Sequence, residues 1–363
     1  MLRTGLLLAL LVAACDSGGG SPQVVVADTS AGTLPAVPVV EPASEPETDA
    51  AAQPAPGAAT GHDQGPRTEL PPNEEGQIAI LEYHLIGAEN GRWTVTAEQL
   101  RQDMELLWQR GYRPITMIEY VEKRIDLPRG TSPVVFTFDD ASPGQFRYLE
   151  DASGELRIDP TSAVGVWLDF ARTHPGWGNK AVFCVLSGAE AGRSFFGNKG
   201  IDGQKTEWRH RKIAFLVEQG FEICNHTLWH ATLSRYDDAV VQEQIARLQL
   251  AVDSAAPGYR IRSFALPLGE WPKNRALAHA GSWTDPKTGR RVEYRHDAVL
   301  RVSGGPAPGP HHPKYDPLFL TRTQVYADEL ERTLDRLDRE RTRYVSDGDP
   351  ATIAQPQPTA ASP

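Results

Sequence analysis

The chain predicts an α/β fold with a parallel sheet curled into a closed but irregular barrel, on three observations. Apolar runs of strand type alternate with segments of helical period, the pattern of parallel strands joined by crossover helices. About seven such runs fall within about 270 residues, a length normal for one α/β barrel. Two of the runs end in clustered acids or imidazoles: Val134 to Phe138 leads into Asp139-Asp140, and Gly220 to Asn225 leads into His226-Thr227-Leu228-Trp229-His230. The carboxyl rim of the strands is where parallel α/β folds carry out their chemistry.

Taken in order, Arg3 precedes the apolar stretch Leu6 to Val12, which is too short to span a bilayer and suits a signal-peptide core. Residues 1–14 are read as that signal. From Asp16 to Glu75 the composition turns to Pro, Ala, Gly, Ser, Thr and acids, with no aromatic residue, too little apolar surface to offset the entropy of ordering. Residues 15–75 are therefore expected to be a disordered tether. Its ten acids against Arg67 leave a charge of −9, nearly all of the chain's net −10. The folded part, expected at 76–345, is close to neutral and gives no general argument for nucleic acid.

Ile78 to His84 is a strand candidate that stops at a histidine, and a helix is expected from Thr96, where Thr96-x-x-Gln99 reads as a capping box. Gly111 ends it. Tyr112 to Thr116 is a short strand candidate, Ile118 to Lys123 a short helix, and Val134 to Phe138 the strand that presents the two acids. Leu168 to Thr173 belongs to a helix, Ala181 to Val185 is a strand, and Ser187 to Gly203 reads as an insertion loop. Helices are expected at Glu207 to Gln219 and Asp237 to Asp253, strands at Phe264 to Leu266, Val299 to Val302 and Leu318 to Val325. Asp328 to Tyr344 closes the domain as an amphipathic helix, and 346–363 return to disorder.

Two histidines four apart can face one point, and a carboxylate from another strand end would complete a His-His-Asp set. Three protein ligands with one position left for water is the layout of a catalytic zinc site. Either pair alone is a weak signal; their joint position after β-type runs is what points to a site. Cys184 and Cys224 lie in apolar strands and are expected as buried free thiols. Trp177, Trp229, Trp271, Phe195 and Phe196 are expected in core packing rather than stacked on a ligand.

Thr137-Phe138-Asp139-Asp140 and His226-Thr227-Leu228-Trp229-His230 resemble the first two motifs of the polysaccharide deacetylases, the NodB-type carbohydrate esterases of family four. Ala181 to Val185 and Gly220 to Asn225 resemble the accompanying strands. The resemblance implies a distorted (β/α)7 barrel and a metal-dependent hydrolase that removes N-acetyl groups from a polysaccharide. It makes Asp140, His226 and His230 the metal ligands and Asp139 the general base. Zinc is the first expectation for the divalent metal, with iron, cobalt or nickel also suited to the set.

The family's third motif normally opens with an arginine. Here it reads Ala265-Leu266-Pro267-Leu268-Gly269: Pro267 and Gly269 match, so the Leu268 backbone N–H is expected at the oxyanion, but the arginine is absent. Arg322 is expected to replace it as the partner of Asp139. The usual late histidine motif is also missing, whereas Leu81-Glu82-Tyr83-His84 resembles the segment of a permuted subgroup that deacetylates poly-N-acetylglucosamine, which makes His84 the expected general acid. Val12-Ala13-Ala14-Cys15 resembles a lipobox, so Cys15 is expected to carry a lipid that anchors an exported protein to the inner or outer bacterial membrane. A monomer is expected. A degenerate, non-catalytic member of the family that binds glycan or an assembly partner, suggested by the missing arginine, and an O-deacetylase are the alternative expectations.

Overall fold

The computed structural model describes residues 63–188, 194–197 and 203–356; the signal, Cys15 and parts of the 187–203 insertion lie outside them. Seven parallel strand segments follow one another around a circuit: β1 (Gln77–Tyr83), β2 (Ser132–Asp139), β3 (Val182–Val185), β4 (Glu222–Asn225), β5 (Ser263–Ala265), β6 (Ala298–Leu300) and β7 (Thr323–Gln324). The circuit closes because one stretch of chain touches both edges. Leu320 bridges in parallel to Leu300 of β6, and Thr323 and Gln324 pair in parallel with Leu81 and Glu82 of β1. The barrel is irregular where strands are short, with Phe264 to Asn225 the single register pair between β4 and β5.

Alternation along the strands sorts their side chains between two apolar clusters. Ile78, Ile80, Val135, Val182, Cys184, Cys224, Ala265, Leu300 and Leu320 form one, and the next inward positions towards the mouth are Glu82, Thr137, Asp139, His226 and Arg322. The alternate positions Ala79, Leu81, Tyr83, Val134, Phe136 and Phe138 pack with Leu100, Met104 and Leu107 of α1 (Ala97–Gln109) and with Trp167 and Phe170 of α3 (Ala163–Thr173).

Helix ends follow local chemistry. Thr96 accepts the Gln99 N–H at the start of α1, while its own N–H goes to Asn90, so half of the expected capping box forms. A complete box, Thr116 with Glu119, starts α2 (Met117–Val121). Asp237 caps α5 (Asp238–Ala255), which follows α4 (Trp208–Glu218). The closing helix α6 (Glu329–Arg339) stops earlier than expected, and Arg341 turns into positive φ two residues later. The stretch around Thr284 to Arg291 is the turn of an antiparallel hairpin, Ala280–Thr284 with Arg291–Arg295.

Three expectations are corrected. The ordered chain begins before Gly76: Asp63 forks onto the fully buried Arg113 at 2.7 and 3.0 Å, and Arg113 also stacks on Trp108 at 3.7 Å. A buried guanidinium needs a carboxylate, and Asp63 provides it, so the supposed tether is ordered from Asp63 on. At the other end, Ser346 is buried and bonded to Thr131 and Leu127, and Ala354 pairs with Glu74, so order extends past 345. Cys184 and Cys224 are directly opposed in the β3–β4 register and joined as a disulfide; composition could not reveal that register.

Trp177, Phe195 and Phe196 are buried as expected, and Trp229 and Trp271 pack partly buried against the cluster around Phe264 and Ile245. A chain starting at Gly76 is expected to be less stable than one starting at Asp63 by about 3 kcal/mol, the scale of losing one partner of a buried ion pair. Urea unfolding of the two measures the difference, and equal midpoints and slopes would contradict the clamp.

Candidate metal and catalytic site

At the carboxyl end of β2, Asp139 points into the barrel by strand alternation, and Asp140 would point away if the strand continued. The chain instead turns: Asp140 has φ +70° and Ala141 φ +49°. That turn brings both acids to the mouth. The His226–His230 segment is a tight loop rather than a helix, with Thr227 at φ +66° and His230 at φ +62°. Asn225 shapes it by accepting the Thr227 N–H and donating to the Ile245 carbonyl, while the Leu228 carbonyl accepts from Ser187 and Gly188. Of the eight described non-glycine residues with positive φ, five (Asp140, Ala141, Thr227, His230 and Leu268) lie in the three loops of this mouth, a concentration of backbone strain typical of functional sites.

Asp140 Oδ1 lies 3.2 Å from His226 Nε2 and 3.5 Å from His230 Nε2. His226 Nδ1 is 2.8 Å from the Ala265 carbonyl. That carbonyl can only accept, so Nδ1 carries a proton, which leaves Nε2, facing the carboxylate, as the nitrogen that can ligate a metal. Ligand bonds of about 2.1 Å place neighbouring donors about 3.0 to 3.4 Å apart in octahedral or tetrahedral sets. The observed separations are of that size, and one carboxylate with two imidazoles suits zinc and its first-row neighbours. The three residues therefore fit a divalent cation.

Beside them, Asp139 is gripped by Arg322, whose Nη1 and Nη2 donate to its two oxygens at 2.8 Å each. Arg322 also donates to Thr137 Oγ1 and, through Nε, to the Arg301 carbonyl, so the buried guanidinium is bonded on every side. Burial works against the Asp139 charge, but Arg322 and then His226 outweigh it and hold the carboxyl well below the ordinary range. Arg322, the residue before β7, thus pairs with Asp139 as expected of it. The third motif turns at Pro267–Gly269, with Leu268 at φ +57°. Gly269 has φ +69°, and a side chain there would meet Val302 Cγ1 at 2.7 Å.

His84 sits one residue past β1, beside the strand that ends in Asp139. Gln145, fully buried and overlooked in the sequence, ties these ends together by donating to the carbonyls of both His84 and Asp139 at 2.6 Å. Burial lowers the His84 imidazole below its usual range, partly offset by Asp139 and Asp140. Two more residues were unassigned from sequence. Glu82 is a buried carboxylate 3.4 Å from His84 Nε2 and 3.4 Å from Arg322 Nε. Trp93 stands edge-on to His84 with ring centroids 4.8 Å apart. The strand alternation at Glu82 could have flagged an acid aimed into the barrel.

The resulting pocket, about 340 Å³, is lined by the acids and histidines together with Leu85, Trp93, Leu266, Leu268 and Val302. Pro267, expected beside Leu268, is buried beneath this wall. A larger groove of about 740 Å³ runs beside the Ala280–Arg295 hairpin, but its lining includes none of the mouth residues. The smaller pocket is the candidate site because it alone of the two holds the converging donors. With water, a cation and a base in one apolar-walled pocket, the arrangement can hydrolyse an acyl group.

Residues 173–281 match the family model described as polysaccharide deacetylase. This span contains His226, His230 and the Pro267–Gly269 turn but not the two acids. A chitooligosaccharide deacetylase of Sinorhizobium fredii (strain NBRC 101917 / NGR234) is 29% identical over 157 residues, covering 40% of this chain and 71% of that protein. A chitooligosaccharide deacetylase of Bradyrhizobium sp. (strain ANU 289) is 29% identical over 115 residues, covering 27% of this chain and about half, 52%, of its own length. Among solved structures, the Streptococcus pyogenes deacetylase PplD in complex with acetate superposes with a TM-score of 0.50 at 16% identity, covering 71% of this chain and 97% of the other. That likeness is one of fold.

Replacing Arg322 by Ala should leave Asp139 and Glu82 without their cation. Because Arg322 depresses the Asp139 pKa, its loss raises that pKa, so the acid limb of any activity that uses Asp139 as a base moves to higher pH. The rate at neutral pH is expected to fall about a hundredfold or more. A pH–rate profile of Arg322→Ala measures both, and an unchanged profile would reject the pairing.

Proposed function

We propose that this chain, which carries a polysaccharide deacetylase domain of the NodB type, removes N-acetyl groups from an N-acetylated polysaccharide of the cell envelope or its surroundings and releases acetate. The observation that carries this reading is the convergence of Asp140, His226 and His230, with Asp140 Oδ1 3.2 and 3.5 Å from the two Nε2 atoms, beside an Asp139 held ionised by Arg322.

Asp140, His226 and His230 would hold a divalent cation, zinc first among the candidates, which would supply Lewis acidity toward the acetyl carbonyl and toward water at the site. The chain's own residues do the rest. Asp139 takes the proton from the attacking water, and its grip by Arg322 fixes the direction in which it accepts. The Leu268 N–H faces the carbonyl oxygen as negative charge develops there. His84 gives a proton to the departing nitrogen, without which an amine is a poor leaving group. Leu266, Leu268 and Val302 offer the acetyl methyl an apolar wall, and Trp93 a face for the sugar ring.

The non-catalytic alternative was motivated by the missing motif arginine; Arg322 on Asp139 favours the catalytic reading. An O-deacetylase uses the same groups with less need of His84, since an alkoxide leaves more readily than an amide nitrogen. Attachment through a lipid on Cys15, export and a monomeric state remain part of this proposal and rest on the sequence alone.

The test is metal content and acetate release from N-acetylglucosamine oligomers by the purified chain. One bound divalent metal per chain is expected, with activity lost on chelation and restored by zinc. His226→Ala should lose both metal and turnover, and His84→Asn turnover alone. A chain that binds metal but releases acetate from no acetylated glycan would overturn the enzymatic reading.

A further inference from the structure

The loop that follows His84 carries a cation to which the reading above gives no task. Leu85–Gly87 pairs with Thr94–Thr96, and Asn90 accepts the Thr96 N–H, so the loop has a built shape and presents Arg92 and Trp93 side by side. Trp93 lines the pocket, is 42% exposed and stands edge-on to His84. The Arg92 guanidinium lies over two rings, with Cζ 5.0 Å from the centre of Trp93 and 4.8 Å from that of Tyr326. Its Nη2 also donates to Gln324 Oε1 at 3.3 Å, and Gln324 of β7 pairs with Glu82 of β1. Two rings and one amide therefore fix an exposed guanidinium at the β1–β7 side of the mouth.

No carboxylate of the protein meets it. Among the described residues Arg92 forms no ion pair, and Gln324 is the one acceptor its side chain reaches. Asp328 and Glu329, the acids that follow Tyr326, both pair with Arg332, at 3.1 and 2.8 Å. Glu89, three residues before Arg92, is exposed and makes no ion pair among the described residues. A guanidinium covered on its face keeps its N–H donors in the plane, where two of them match the two oxygens of a carboxylate. Asp139 takes that fork on Arg322. On Arg92 the fork is open, and because the side chain is already held, little entropy remains to be lost when an anion binds.

We propose that Arg92 is a specificity-determining residue that binds a carboxylate of the substrate, so that the polysaccharide taken by this site is acidic. The sugar at Trp93 bears a carboxylate or stands next to a sugar that does. The proposal rests on the deacetylase reading and narrows its substrate from N-acetylated polysaccharides in general to those with uronic-acid or lactyl-ether groups. Arg92 and the sugar share one indole, so an acid at the edge of that sugar, or on its neighbour, comes within reach of the guanidinium. Arg92 touches no reacting atom. Its contact is the same in the bound substrate and in the transition state, so the effect belongs to KM rather than to kcat.

The experiment measures kcat/KM for acetate release by the full chain on three sets of oligomers: N-acetylglucosamine alone, N-acetylglucosamine alternating with glucuronic acid, and N-acetylglucosamine alternating with a sugar that bears a lactyl ether. At least one acidic set should be preferred over the neutral one by about tenfold or more, the scale of a charge-assisted hydrogen-bonded pair. Which set is preferred identifies the source of the carboxylate. The preference should lie in KM and shrink as salt is raised. In Arg92→Gln the ratio of acidic to neutral kcat/KM should fall to about one, and Arg92→Lys, which keeps the charge but not the fork, should restore part of it. A residue that merely held Trp93 in place would lower both rates together and leave the ratio as it was. An unchanged ratio in Arg92→Gln, or a wild type that prefers the neutral oligomers, would overturn the assignment. Absence of acetate release from every set would instead refute the deacetylase reading. Calorimetric titration of the acidic oligomers into the wild type and Arg92→Gln then decides the carboxylate site, with binding expected to weaken about tenfold or more in the variant; equal affinities would reject it.

Discussion

Arg322 and Asp139 are both inside the barrel, and the geometry of the mouth depends on their pairing. The base role proposed for Asp139 requires an ionised carboxylate, and burial opposes ionisation. The fork of two 2.8 Å bonds from Arg322 resolves the conflict, and Thr137 and the Arg301 carbonyl take two further donors of the guanidinium. A buried ion pair is favourable when hydrogen bonds surround it, and every nitrogen of this guanidinium makes one. Its position also matters. Arg322 lies between Leu320, which bridges to β6, and Thr323, which pairs with β1. The stretch that closes the barrel therefore also sets the charge of Asp139.

Strain and rigidity divide the remaining work. The barrel supplies fixed inward positions by simple alternation, which is how Asp139, Glu82, His226 and Arg322 come to share one level. The residues that must reach the same point from outside that pattern do so through left-handed turns: Asp140 at φ +70° and His230 at φ +62°. Such conformations are unfavourable for residues with a Cβ. Here they are held by Asn225, by Thr227 Oγ1, which accepts the Ala231 N–H, and by Gln145. The donor atoms are thus positioned before any cation arrives.

The mouth also accounts for two departures from the family pattern noted in the sequence. The arginine missing before Pro267 is matched in effect by one from a later strand, because in a closed barrel β5 and β7 both look into the same interior. A histidine missing from the carboxyl-terminal part is matched by His84, because β1 is the neighbour of β2 and its end stands beside Asp139. Equivalent side chains can enter a barrel from any strand. Position along the chain therefore says little about which residue takes a role.

The local signals were sufficient for what is local. Strand and helix alternation, the acids after Val134 to Phe138 and the four-residue spacing of His226 and His230 identified the fold class and the core of the site, since each is a property of a short window. The amphipathic pattern likewise placed α1 and α5 within two residues of where they lie. What composition could not give was register and reach. The Cys184–Cys224 pairing depends on how β3 slides against β4, the Asp63 clamp depends on a charge buried fifty residues away, and the hairpin at Ala280–Arg295 depends on strands that find only each other. Glu82 looked like one more residue in an apolar run; its meaning appeared only when closure of the barrel set it between Arg322 and His84. The sequence by itself determined which residues can do chemistry and on which strand ends they stand. The tertiary structure decided which of them meet, because contacts between distant segments are fixed by barrel closure and burial rather than by any local preference.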